Sequence, residues 1–274
     1  MAKIRGENFA AETSMGDSHG RQVCRVKSGT RCRMASRSQL FADVRNQSMK
    51  IIPASDSSLL IVFGDVISPE LHHRVMALFR AFLTRQDPRV RNLHPGYCSL
   101  LIDFDPLRLS HDDLATEVER LAEAEAFVSN DAANVVSIPV CYDSEFAPDL
   151  IAVADHANMS AEEVVRWHSS ASYRVYFLGF SPGFAYLGGL PDVLHTPRLA
   201  TPRITVAPGS VGIAGSQTGI YPIESPGGWR LIGRTPLRMF DPGANPPTRL
   251  QPGDLVKFFP INRATFEKIS LEQR

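Results

Sequence analysis

The run Gly209-Ser210-Val211-Gly212-Ile213-Ala214-Gly215-Ser216-Gln217-Thr218-Gly219 spaces its glycines so that backbone amides could approach an anion closely. It is not a P-loop, because no Gly-Lys-Ser/Thr follows, and beyond residue 134 lysine occurs only at Lys257 and Lys268. A phosphate or carboxylate bound here would be met by backbone N–H groups and by arginine. Arg198, Arg203 and Arg234 are the candidates, since each lies in a proline-fixed segment, TPR, TPR and GRTP. The planar guanidinium fork suits bidentate contact with either anion, while a solvated or structural arginine is the plain alternative at each position.

Beside that run, Gln217, Thr218 and Tyr221 form a neutral set of donors and acceptors, and Ser225-Pro226-Gly227-Gly228-Trp229 makes a second shaped turn ending in a large aromatic. Polar groups next to an aromatic wall are what a small planar amide or lactam needs for orientation, with Gly228 giving it room. Tyr221 and Trp229 would serve equally well as core residues.

Gly179-Phe180-Ser181-Pro182-Gly183 has the G-x-S-x-G spacing of a nucleophile elbow. In an elbow the residue after the serine donates its N–H to the oxyanion hole and a helix follows. Pro182 has no N–H and the continuation is glycine-rich, so the expectation is a rigid turn at Gly183 presenting Phe184 and Tyr186. His156 and His168 fall on separate expected helices and His195 in a loop, without the spacing of a metal site. Packing or surface exposure accounts for the first two. Asp241 and Asp254 sit in DPG and PGD turns, where aspartate is at home without catalysis.

The elements that would hold these residues are short. Of the 20 prolines, 13 lie between Pro182 and Pro260, and of the 19 glycines, 13 lie between Gly179 and Gly253. That density excludes long helices, and the apolar bursts between breakers imply short strands with tight turns. Upstream, Ser58–Phe63 reads as a buried strand. Ser68-Pro69-Glu70 caps an amphipathic helix carrying Leu71, Val75, Leu78, Phe79, Phe82 and Leu83. Tyr97–Phe104 reads as another strand. Ser110 and Asp113 open a second helix with Leu114, Val118 and Leu121. A strand at Val135–Val140 completes a strand-helix-strand-helix-strand series, which implies a small α/β layer with helices on one face. A short helix with Leu150, Val153, Ala154 and Ala157, then one capped by Ser160 and Glu163, lead into the β-rich part. The domain reading is 49–134 and 135–270.

Residues 1–48 hold nine Lys/Arg against four Asp/Glu, leaving 20 against 25 beyond them. The leader lacks the apolar core of a secretory signal, and the expectation is a disordered leader or over-long start, with Met49 opening the folded part. The remainder is mildly acidic, with no nucleic-acid footprint, and no apolar run is long enough for a membrane helix. Cys24, Cys32, Cys98 and Cys141 form no C-x-x-C pair, which suits a cytoplasmic setting with Cys98 and Cys141 as inert buried thiols.

GFSPGFAYLGGLP at 179–191, GSVGIAGSQTGIYP at 209–222, SPGGWRLIGRTPLRMFDP at 225–242 and LQPGDLVKFFPI at 250–261 closely resemble one family. MKIIPASDSSLLIVFGD at 49–65 resembles its usual beginning. That family is the B subunit of prokaryotic 5-oxoprolinase, also called the KipI-like or allophanate-hydrolase-subunit-1 family. A local departure is Ala207-Pro208-Gly209, where the family commonly shows proline, alanine, glycine. The resemblance implies an α+β chain: a small N-terminal α/β domain followed by a cyclophilin-like β-barrel. It implies one component of an ATP-dependent lactam hydrolase, inactive alone, that uses ATP with Mg as counter-ion and no tightly bound metal. Its partners would be two further subunits, a homologous C-type one and an A-type one. The residues expected near the composite site are Gly183, Phe184, Tyr186, Arg198, Arg203, Gln217, Thr218, Tyr221, Gly228, Trp229 and Arg234, with no catalytic base assigned. Two alternatives remain open: a regulator that binds and inhibits a sensor histidine kinase, and an allophanate hydrolase or carboxyltransferase-type subunit.

Overall fold

The computed structural model describes residues 49–125 and 133–273, which lie in one compact unit spanning 47–274. The expectations for residues 1–48, including Cys24 and Cys32, fall outside the described residues. The first part is a four-stranded antiparallel sheet built from β1 (Lys50–Ser55), β2 (Ser58–Val62), β3 (Val90–Pro95) and β4 (Ser99–Phe104), in the order β1-β2-β4-β3. Helices α1 (Pro69–Arg85) and α2 (His111–Glu125) follow β2 and β4. Leu100, Ile102 and Phe104 alternate along β4 as buried residues, and Leu71, Val75, Leu78 and Phe82 answer them from α1.

The cap on α1 is the one its sequence implies. The Ser68 hydroxyl accepts from the Leu71 N–H at 3.1 Å, with Pro69 in the first turn. Such a cap is worth about 1 kcal/mol. Leu83, placed on the apolar stripe by spacing, is 51% exposed, and the buried stripe instead takes in Met76 and His72. Two edge strands, β1 and β3, join the expected central pair. All the sheet's pairs are antiparallel, and the two helices follow β2 and β4.

The strand read at 135–140 belongs to the second part. There β5 (Val135–Cys141), β6 (Tyr173–Leu178), β7 (Ala185–Gly188), β9 (Ser210–Ala214), β10 (Gln217–Ile220), β12 (Arg230–Arg234) and β13 (Leu255–Ile261) close a barrel in the order β10-β7-β6-β13-β5-β12-β9. β5 and β13 run parallel in register from Leu255 opposite Val135 to Ile261 opposite Cys141, and the other pairs are antiparallel. A closed sheet leaves no edge to aggregate. A separate ribbon, β8 (Arg203–Val206) with β11 (Ser225–Gly227), lies outside it. Helices α3 (Leu150–His156) and α4 (Ala161–Ser170) pack on the barrel, and α5 (Arg263–Glu272) follows β13. Ser160 and Glu163 form the expected reciprocal capping box at 3.2 and 2.9 Å.

Candidate functional site

The glycine run does not form an open cradle. It folds as the β9–β10 hairpin, in which Gln217 faces Ala214, Thr218 faces Ile213 and Gly219 faces Gly212. Outside the strands, the Gly215 N–H donates to the Thr196 carbonyl at 2.8 Å and the Gly209 N–H to the Tyr221 carbonyl at 2.7 Å. Amides engaged in ladders and turns cannot also wrap a phosphate. The anion-binding expectation for this loop is therefore corrected by its strand pairing.

Thr218, on β10, is fully buried. Its hydroxyl donates to the Gly212 carbonyl at 3.0 Å, so it must accept from His168 Nε2, also at 3.0 Å. That assigns the ring proton to Nε2 and leaves Nδ1 to accept from the Tyr142 hydroxyl at 2.8 Å. The imidazole is neutral, and burial holds its pKa down at about 3. Tyr173 donates to the His168 carbonyl at 2.7 Å, and the ring stacks on Phe258 at 4.6 Å. Every polar atom here is engaged, so this is a structural knot.

Four more candidates share a second cluster. Phe184, Tyr221 and Trp229 are 2%, 2% and 5% exposed and pack with Val206, Ala214 and Leu231, while Tyr186 covers them from β7. Phe184 meets Tyr221 and Trp229 edge-on at 5.2 and 5.4 Å, so these rings hold the ribbon to the barrel. Tyr186 stacks on Phe177 at 4.5 Å, and Tyr97 from the β3–β4 turn joins them while its hydroxyl receives the Gln217 amide. Gly228 accepts at its carbonyl from the Leu199 N–H at 2.8 Å. Tyr97, read from sequence only as the start of a strand, thus ties the first sheet to the barrel.

The three arginines separate. Arg203 is structural: it donates to Asp149 Oδ1 at 2.8 Å, and Asp149 Oδ2 in turn accepts the Leu231 N–H at 2.7 Å. Arg198 is exposed on the loop before the ribbon, and its charge is felt by the Tyr97 and Tyr221 hydroxyls. Arg234, at the end of β12, lines a cleft of about 420 Å³ together with Pro208, Gly209, Glu224, Arg238 and Phe240. Its Nε donates to the Pro208 carbonyl at 2.8 Å and its guanidinium lies 6.0 Å from the Phe146 ring centroid. Gly183 supports the same region, because at φ +81° a Cβ there would sit 2.8 Å from Phe240 Cβ.

The G-x-S-x-G string is a turn followed by β7, not a helix, and its left-handed residues are Phe180 and Gly183 rather than the serine. The buried Ser181 hydroxyl has no hydrogen-bond partner among the described residues, so no base activates it. His156 is exposed, and Asp254 caps its own turn through the Gln251 N–H at 2.8 Å. Cys141 is buried and Cys98 half-buried, both as free thiols. No helix among the described residues is long and apolar enough to cross a membrane. The cleft draws on Glu224, Arg238, Phe240, Phe266 and Gln273, which spacing alone did not single out. Only the chain reversal that brings α5 back to β12 gathers them.

Residues 49–250 match the carboxyltransferase domain family, subdomain C and D. The 5-oxoprolinase B subunit of Bacillus subtilis is 42% identical over 223 residues, covering 77% of this chain and 92% of that one. Its counterpart from Haemophilus influenzae is 42% identical over 217 residues, covering 77% and 97%. The crystal structure of TTHA0988 is 38% identical with a TM-score of 0.68, and the match spans 75% of this chain but 40% of that longer one. Kluyveromyces lactis urea carboxylase, 22% identical with a TM-score of 0.65 over 82% of this chain and 23% of its own, shares the fold. The family model covers most of the chain, and two bacterial relatives are covered almost end to end: the chain belongs to the family of 5-oxoprolinase B subunits.

Proposed function

We propose that this chain is the B-type subunit of a cytoplasmic, multi-protein 5-oxoprolinase that opens 5-oxo-L-proline to L-glutamate at the expense of ATP. It works in the lactam-activation half with a homologous C-type partner, while hydrolysis is completed by an A-type subunit. The observation that carries this reading is the cover of the B-type relatives, 92% and 97% of their lengths at 42% identity. The longer TTHA0988 chain, of which the matched region is 40%, supports a barrel that operates beside further modules. The likeness to urea carboxylase is one of fold and brings no carboxyl transfer to this chain.

The division of labour fits the chemistry. A lactam carbonyl is a poor electrophile, so water needs help to open it. The glycine hairpin does not fit a nucleotide's phosphates, since its amides are spent on β9–β10 pairing and turns. If this chain contacts ATP, it does so through residues other than the amides of that hairpin. What the chain offers is a rigid barrel and an arginine-bearing cleft, the equipment of a component that binds and orients.

The test is reconstitution of this chain with the homologous and third subunits, assayed for glutamate from 5-oxo-L-proline and MgATP. Glutamate appearing only with all three proteins and ATP is expected. Soluble, co-purifying subunits that form none would overturn the reading.

A further inference from the structure

The cleft beside β12 is built around one fixed charge. Arg234 is clamped on its edge by the Pro208 carbonyl and on its face by Phe146, which itself stacks on Phe266 of α5 at 4.4 Å. α5 is pinned by Arg263, whose guanidinium meets Glu145 at 2.7 Å. The only hydrogen bond of the Arg234 guanidinium among the described residues is the one from Nε, so its two terminal nitrogens are available to a ligand. Partial burial lowers its pKa, the Glu145 carboxylate nearby acts the other way, and the guanidinium stays charged. Arg238 stands on the same lining, shared with Asp241 at 3.3 Å. Glu224 is the one acid on that lining, and Pro222, Leu237, Phe240 and Phe266 supply apolar surface.

A cleft lined by one arginine unpaired among the described residues, a second arginine shared with Asp241, one carboxylate and apolar walls suits a small monoanion carrying an amide better than a polyphosphate. We propose that this cleft is the lactam-acid subsite: Arg234 and Arg238 take the carboxylate, Glu224 accepts the ring N–H, and Phe240, Leu237 and Phe266 cover the ring. The identity of the acid rests on the 5-oxoprolinase reading, whereas the anion site rests on the cleft itself. Arg234 is then a binding residue that sets specificity for a free carboxylate. Neither Arg203 nor Thr218 shares that role, because their polar atoms are already committed.

The experiment is calorimetric titration of the full chain, alone and in the complex of all three proteins, with 5-oxo-L-proline, 2-pyrrolidone, inorganic phosphate and MgATP. Losing one charge-assisted pair corresponds to about 10- to 100-fold in affinity. Arg234→Gln is expected to weaken 5-oxo-L-proline by that factor, Arg238→Gln by less, and Arg234→Lys to recover part of the loss. 2-Pyrrolidone, which lacks the carboxylate, should bind the native chain about as poorly as 5-oxo-L-proline binds Arg234→Gln. Arg166→Gln, exposed on α4, should change nothing. Unaltered 5-oxo-L-proline binding in both arginine variants, or no saturable binding in either preparation, overturns the subsite. Arg234-dependent binding of phosphate or MgATP in place of the lactam overturns the carboxylate assignment. Arg234-dependent lactam binding without glutamate from the complex would keep the subsite and sink the oxoprolinase reading.

Discussion

His168 and Arg234 are both polar side chains of the barrel part, and they are treated in opposite ways. His168 is fully buried, with Tyr142 on one ring nitrogen and Thr218 on the other, and Thr218 donates its own hydrogen bond to the Gly212 carbonyl. Arg234 is half-buried and tied by one carbonyl, with its remaining donors unclaimed among the described residues. A closed network rigidifies, and an unfinished one can recognise. The difference teaches that engagement of donors, rather than residue type, separates scaffold from site in this fold.

The most severe test of that contrast is to open the closed network. His168→Leu strands the buried Tyr142 hydroxyl and takes from Thr218 the N–H it accepts, and should cost about 2–5 kcal/mol in urea unfolding, with little change in lactam affinity for the molecules that stay folded. If affinity collapses while stability holds, the centre is a site and the contrast fails. Acid tests it without mutation. His168 and His72 have folded pKa values near 3 and 4, below the ordinary 6.5, because burial disfavours their charged forms. The unfolded chain therefore binds more protons below pH 6.5. Their stabilisation is whole above that value and is lost as the pH falls toward about 4 for His72 and about 3 for His168, by up to about 1.4 kcal/mol per unit for each histidine. Unfolding midpoints at pH 7, 6 and 5 should fall in that order, and a flat profile would mean that the rings are not held neutral.

Between the two regions stands Gly209, which lines the cleft at φ +81° and passes against the Thr235 carbonyl. Gly209→Ala should destabilise by about 1–3 kcal/mol and weaken the ligand as well, since it moves the cleft wall. An effect on stability alone would separate cleft from scaffold more sharply than proposed. The smallest effect is expected for Tyr97→Phe, which keeps the ring contacts but drops the bond to Gln217, at about 1 kcal/mol in thermal unfolding.

What could be read from the sequence was mostly local. Ser68-Pro69 and Ser160 with Glu163 announce helix starts within four residues, and both caps form. The β-rich reading of the proline- and glycine-dense half holds because those residues exclude helices wherever they pair. β1 and β3 escaped because they are sheet edges, largely exposed, without the apolar alternation that marks a buried strand. The parallel pairing of β5 with β13 joins segments some 120 residues apart, which no spacing reveals. The site followed the same rule. Arg203 and Thr218 had the right chemistry beside the right glycines, yet Asp149 and His168, distant in sequence, claim them. Arg234 stayed available because, among the described residues, only its Nε is tied, to the Pro208 carbonyl. Glu224, Arg238 and Phe240 joined it through folding rather than through any motif.

The measurement that bears most directly on this account sets the two regions side by side in the reconstituted complex. It is the KM for 5-oxo-L-proline and the melting temperature of the Arg234→Gln and Thr218→Val chains. The account predicts a KM raised about tenfold or more in Arg234→Gln with melting within about 2 °C of native, and a lowered melting temperature with an unchanged KM in Thr218→Val. The reverse pattern, with KM following Thr218 and stability following Arg234, would contradict it.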